Sequence, residues 1–190
     1  MARHAEFTVL AVGLILGAQV WAQGTPLDPA EFQVNGYTIG SQSVGGVARD
    51  PQGNFVVVWD SAGSWGTDND SYSIQARSYS DGGTPVGEDF QINTYTTGDQ
   101  FLAKVASDAE GNFVVVWSSR GSWGSDTDMS SVQVRRFRAE GTPLDPAEFQ
   151  VNTYTTGNQI ACGLSSDAQG NFVVVWLSAG SSGTDDDGYS

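Results

Sequence analysis

The sequence predicts an all-β chain made of antiparallel four-stranded repeats of 58 to 59 residues. Three observations carry this. Gly53-Asn54-Phe55-Val56-Val57-Val58-Trp59 recurs intact at Gly111–Trp117 and at Gly170–Trp176, 58 and then 59 residues on. The Phe-Gln-(Val/Ile)-Asn element at 32–35 returns at 90–93 and 149–152 with the same separations, and Gly24-Thr25-Pro26 returns at Gly83 and Gly141. Landmarks that keep step along a chain are the signature of a repeat architecture. The 24 glycines, which follow no collagen period, point to many tight turns.

Each repeat reads as four strands. The first, Leu102–Ala106, ends in Ser107-Asp108. The turn Asp108-Ala109-Glu110-Gly111 follows, with Asp bonding back to the backbone and Gly taking positive φ. Asp50-Pro51-Gln52-Gly53 and Asp167-Ala168-Gln169-Gly170 repeat the device, so these aspartates are read as turn chemistry rather than catalysis. The second strand, Asn112–Trp117, is β-branched and aromatic on both faces and must be covered above and below. The third, Ser131–Phe137, alternates: Val132, Val134 and Arg136 face one way, Gln133, Arg135 and Phe137 the other. The fourth is the Phe-Gln-(Val/Ile)-Asn element after the Gly-Thr-Pro turn, from which Tyr95-Thr96-Thr97-Gly98 leads to the next repeat.

Four antiparallel strands in a unit of this length, packed between copies of themselves, describe a β-propeller blade. A row of independent sandwiches fits less well, because one such unit buries only part of its surface and no polar linker separates the copies. A β-solenoid repeat would be shorter. Closed propellers need roughly 4–8 blades, and fewer than three whole units are present. The third copy reaches only Gly188-Tyr189-Ser190, where Ser71-Tyr72-Ser73 leads into the third strand of the first. The expectation is therefore an incomplete propeller whose natural chain continues, with Phe32–Asn35 completing a last blade.

Residues 1–22 read as an export signal: Arg3 and His4, then an uncharged stretch from Phe7 to Ala22, with Val20-Trp21-Ala22 at the cleavage position. Its apolar heart is shorter than the roughly 20 residues that span a bilayer. The repeat region, 23–190, is then secreted, periplasmic or extracellular, with no further segment for membrane insertion. Against 22 Asp and Glu stand 8 Lys and Arg, a net charge of −14. Nucleic acid and anionic membranes are repelled, and cations are the natural small partners. An apolar content of 39% argues against disorder. Cys162 aligns with Gly45 and Ala103 and is read as a small buried side chain.

The Asp-x-x-Gly-Asn-Phe-Val-Val-Val-Trp units, the Ala-Arg or Val-Arg strand and Phe-Gln-Val-Asn-Thr-Tyr-Thr-Thr-Gly-x-Gln, seen at 111–117 and 149–159, resemble a bacterial family of secreted tandem-repeat proteins of β-propeller type. The resemblance covers about 24–190. It implies an exported, propeller-like repeat protein, in some cases part of an adhesin-type surface chain, and brings no catalytic activity.

Two features carry candidate chemistry. The loop after each Trp strand reads Gly66-Thr67-Asp68-Asn69-Asp70, Gly124-Ser125-Asp126-Thr127-Asp128 and Gly183-Thr184-Asp185-Asp186-Asp187-Gly188. Asp68 with Asp70, Asp126 with Asp128, and Asp185 with Asp187 would each aim two carboxylates at a hard cation, making Ca2+ the expected metal. The bland reading of the same loops is solvated turns capped by Asp. Trp65 and Trp123 precede these aspartates and suit stacking on a ligand such as a sugar. Catalysis lacks parts: His4, in the signal, is the only histidine, which removes a His-assisted nucleophile or His-ligated zinc from the repeats. A carboxylate pair could still hydrolyse glycosides, but a catalytic pair should be singular and these acids recur. The expected function is a non-enzymatic exported module for binding or adhesion, with a protein or carbohydrate ligand. The rival is a fragment of a secreted carbohydrate-active enzyme whose catalytic residues lie in further blades.

Overall fold

The computed structural model describes residues 31–180, preceded by the backbone of three short strands: β1 (Gly17–Ala18), β2 (Trp21–Ala22) and β3 (Thr25–Pro26). Apart from those pairs, the expected export signal lies outside the described residues. So does the third acidic loop with Asp185 and Asp187.

Strand β4 (Phe32–Gln33) leads into the first blade, an antiparallel meander of β5 (Gln42–Arg49), β6 (Phe55–Ala62), β7 (Tyr72–Tyr79) and β8 (Phe90–Gln91). The second blade repeats it with β9 (Gln100–Ser107), β10 (Phe113–Arg120), β11 (Ser130–Phe137) and β12 (Phe149–Gln150). The third is described as a pair, β13 (Gln159–Ser166) and β14 (Phe172–Ser178). The four expected strands per repeat are present. The fourth is only two residues long, since its Asn turns inward to a side-chain role instead of continuing the ladder.

The hairpin turns are built as the sequence expects. Asp108 Oδ1 accepts the Asn112 N–H at 2.9 Å and its Oδ2 accepts Asn112 Nδ2 at 2.9 Å, with Gly111 at φ 81°. Asp50 with Asn54 and Asp167 with Asn171 repeat the arrangement.

Burial follows the stacking of blades. Val56 and Val58 of β6, with Ile74 and Ala76 of β7, pack against Val115 and Trp117 of the second blade. One repeat later, Val114, Val116, Val132 and Val134 pack against Ala161, Val174 and Trp176 of the third. At about 25 cal/mol per Å² of apolar surface removed from water, this inter-blade burial is the main stabilising term. The expected alternation on β11 holds: Val132 and Val134 face the third blade while Phe137 faces the first. Arg135 is carried inward beside Phe137, where it donates to the Ile92 carbonyl at 2.7 Å and lies over the Phe137 ring.

Each first strand has a bulge where it meets its neighbour. The pairing skips Gly45, between Val44 and Gly46, and Cys162, between Ala161 and Gly163. A Cβ at Gly45 would lie 2.8 Å from the Ala103 carbonyl of the next blade, so only glycine permits this approach. The sequence reading of Cys162 as buried is corrected here: its side chain is exposed. The position faces the following blade, and no described residue follows the third blade to cover it.

Candidate functional site

The loops after β6 and β10 lie on one rim of the array, opposite the Asp-Asn hairpin turns. Gly63, at φ 86°, turns the chain out of β6, and Ser64 Oγ then accepts the Gly66 N–H at 3.0 Å while donating to the Asp68 carbonyl. A Cβ at Gly66 would fall 2.1 Å from Gln91 Oε1, so a larger residue there would displace that glutamine side chain; Gly124 stands in the same relation to Gln150. That glutamine oxygen accepts the Asp68 N–H at 3.0 Å, or in the second blade the Asp126 N–H at 2.9 Å.

The first aspartate of each Asp-x-Asp pair points inward. Asp68 and Asp126 are each only 1% exposed. Asn93 Nδ2 donates to Asp68 Oδ2 at 2.6 Å, and Asn152 Nδ2 to Asp126 Oδ2 at 2.6 Å. The second aspartate points to the next repeat: Asp70 Oδ2 accepts the Gly98 N–H at 3.1 Å, and Asp128 Oδ2 the Gly157 N–H at 3.0 Å. Each pair thus ties a loop to its own outer strand and to the segment entering the next blade. Among the described residues no group of three or more His, Cys, Asp or Glu converges. A hard cation wants oxygen ligands on every side, whereas these carboxylates face N–H donors. In the two described loops the aspartates act as hydrogen-bond acceptors for their own outer strand and the next repeat.

Trp65 and Trp123 are 73% and 67% exposed on the same loops. Each is braced by a tyrosine from the segment entering its blade: Tyr37 against Trp65 at 5.1 Å and 90°, Tyr95 against Trp123 at 5.3 Å and 89°. A carboxylate of the blade's own outer edge fixes each tyrosine. Asp89 accepts the Gly36 and Tyr37 N–H groups at 2.5 and 3.2 Å. Glu148 accepts those of Thr94 and Tyr95 at 2.8 and 2.6 Å. The sequence singled out the tryptophans and aspartates but not Gln91, Asn93, Tyr37, Asp89 or their second-blade counterparts. The signal that could have found them is the recurrence of Gln, Asn and Tyr, in phase with the acidic loops, inside elements read only as strand and linker.

Burial pushes the Asp68 and Asp126 carboxyls above the usual 3.8, against the lowering effect of the Asn hydrogen bonds. Burial likewise raises Asp60, whose carboxylate accepts the Leu102 N–H at 3.0 Å. A raised folded value favours the protonated fold, so this stability is present at low pH and is lost as pH rises through the raised values. Asp145 runs oppositely: its hydrogen bond from Arg136 holds it below 3.8, a contribution lost as pH falls through its depressed value. The melting midpoint at low salt is expected to fall as pH rises from the ordinary carboxylate range through the raised values of Asp60, Asp68 and Asp126. A midpoint that climbs over that interval contradicts this reading.

No protein-family model matches the chain, and no curated protein matches it. Among solved structures it is similar to the Hadza microbial sialidase Hz136, with a TM-score of 0.50 and 12% sequence identity. The match covers 87% of this chain and 40% of that one, so the chain spans less than half the length of the sialidase. The blades are propeller blades. At this identity the likeness concerns the fold alone, and it agrees with the four-stranded sheets stacked face to face.

Proposed function

We propose that this chain is an exported binding module of β-propeller type, and that the ligand is a neutral carbohydrate taken on the Trp65 and Trp123 platforms. The observation that carries the reading is the exposure of two large indoles at the same place in consecutive blades, each held by a tyrosine and a carboxylate clamp. A Trp left in water forgoes the burial that normally stabilises it, and a rigid, braced ring loses little entropy when a sugar ring stacks on it. The Gln91 side-chain amide and the Thr67 hydroxyl lie on the same loop edge for contacts to hydroxyl groups, Nε2 donating to Oγ1 at 3.4 Å. The acidic surface disfavours anionic glycans. Two platforms one repeat apart suit a chain-like ligand gripped at two points, where avidity exceeds either single contact. No catalytic step is assigned, and the module reading agrees with the resemblance to secreted tandem-repeat proteins.

Affinity electrophoresis through gels containing β-glucan, xylan or mannan tests this. Retardation by at least one of these is expected, with loss of about 1–3 kcal/mol of affinity, roughly 5- to 150-fold, when Trp65→Ala and Trp123→Ala are combined. Unretarded migration in all three, or retardation that survives the double replacement, would rule the proposal out.

A further inference from the structure

We propose that the groove between the first and second blades, on the rim opposite the tryptophan loops, binds an alkylguanidinium group, a flat cation on a short aliphatic stem, carried by a small molecule.

The same groove recurs where the second and third blades meet, and the sequence differs at the positions that decide what fills it. Each groove is walled by the Asp-Asn hairpin turn and the start of the Phe-Val-Val-Val-Trp strand of one blade, and is closed by the turn glycine of the next, Gly111 or Gly170. In the second groove Arg136 of β11 lines the space. Its guanidinium is held by Asp145, Nε donating to Oδ2 at 3.0 Å and Nη2 to Oδ1 at 2.6 Å. One repeat earlier Ser78 and Gly87 stand at those two positions. Among the described residues, no Lys or Arg lines the first groove. Its volume is about 270 Å³, against about 180 Å³ for the second. That is close to the roughly 300 Å³ at which small-molecule sites begin. The second groove thus carries on its own chain the kind of group that the first takes from solution.

The walls suit both parts of such a group. Ala48, Phe55, Val56 and Val86 give the stem an apolar lining, and Val86 stands where Leu144 lines the second groove beside Arg136. Two carboxylates face the cation. Asp50 is buried, its oxygens already ordering the Asn54 turn, and Glu140 of the neighbouring blade is exposed. The buried Ser78 hydroxyl donates to the Ala139 carbonyl at 3.2 Å and keeps its lone pairs as acceptors. A guanidinium spreads its N–H donors in one plane and so reaches acceptors on both sides of a slot, which a compact ammonium does less well. Two acids without a base make the local potential negative, and the chain's net charge of −14 adds to it.

Ligand-observed NMR titration of the purified full chain with butylguanidinium chloride, over about 0.1–20 mM, tests this, with butylurea as the neutral molecule of the same outline. Saturable binding with a Kd of about 1 mM is expected for so small a ligand, and butylurea is expected to bind at least about tenfold more weakly. Glu140 and Val86 are solvent-exposed, so their variants keep the parent's melt. Glu140→Gln is expected to raise the Kd about two- to fivefold, as for an exposed ion pair. Val86→Arg sets a guanidinium at the opening and is expected to raise it more than about tenfold. Three results would overturn the proposal: no saturable binding over that range, butylurea binding as tightly, or a Kd that either variant leaves unchanged, which would assign the cation to the acidic surface at large.

Discussion

Val116→Asp is expected to unfold the chain, while Val175→Asp, the same position one repeat later, leaves the melt of dilute protein unchanged. Val116 is fully buried between the second and third blades, whereas Val175 is 58% exposed. An aspartate at 116 either keeps its charge in an apolar contact with no cation beside it or takes up a proton and buries an unpaired carboxyl. Both routes cost more than about 4 kcal/mol, a large share of the roughly 5–15 kcal/mol that holds a domain together. The exposed position should stay within about 0.5 kcal/mol of the parent. Urea denaturation followed by tryptophan emission reads both. Equal sensitivity at the two positions would mean that consecutive blades do not bury each other.

Asn152→Ala is the second large effect. Its amide donates to Asp126 Oδ2 at 2.6 Å and to the Tyr154 carbonyl at 2.9 Å, and its oxygen accepts the Val132 N–H at 2.8 Å. Truncation strips Asp126 Oδ2 of its donor, leaving that carboxylate only the Asp128 N–H on Oδ1, and leaves the buried Val132 N–H without its acceptor. Removing one partner of a buried charged contact costs about 3–5 kcal/mol, which for a chain of this size lowers the midpoint by about 6–20 °C. Adding Asp126→Ala to Asn152→Ala should cost less than Asp126→Ala alone in the parent, because the lost interaction is shared. Additive effects in that cycle would show that the pair is not coupled. Asn93 and Asp68 make the same contact in the first blade, so the pair of asparagines gives an internal replicate.

Much of the fold was legible because its determinants are local and repeated. The Phe-Val-Val-Val-Trp strands announce burial on two faces by having no polar alternate, and β6 and β10 are buried throughout that run. The Asp-x-x-Gly turns announce themselves because Asp reaches its own backbone within four residues, as Asp108 does to Asn112. The candidate site was legible only in part. Trp65 and Trp123 stood out as aromatics in a glycine-rich loop. The roles of Asn93, Gln91 and Tyr37 did not, since their partners lie 23 to 28 residues away in sequence and only the hairpin geometry brings them together. The aspartates were expected as cation ligands from their spacing; the N–H donors that face them, from Asn93, Asn152, Gly98 and Gly157, are visible only in the fold. Cys162 was misplaced for a related reason: alignment with Ala103 transfers an environment only when the same neighbour is present on the same side.

The sequence by itself determined the strand pattern, the turns and the length of the repeat, because period-two patterning, β-branching and glycine at positive φ act through the nearest few residues. The tertiary structure alone decided which faces are covered, which carboxylates are occupied and which aromatic rings remain in water, because each depends on the neighbouring blade, and burial is a property of two surfaces rather than one.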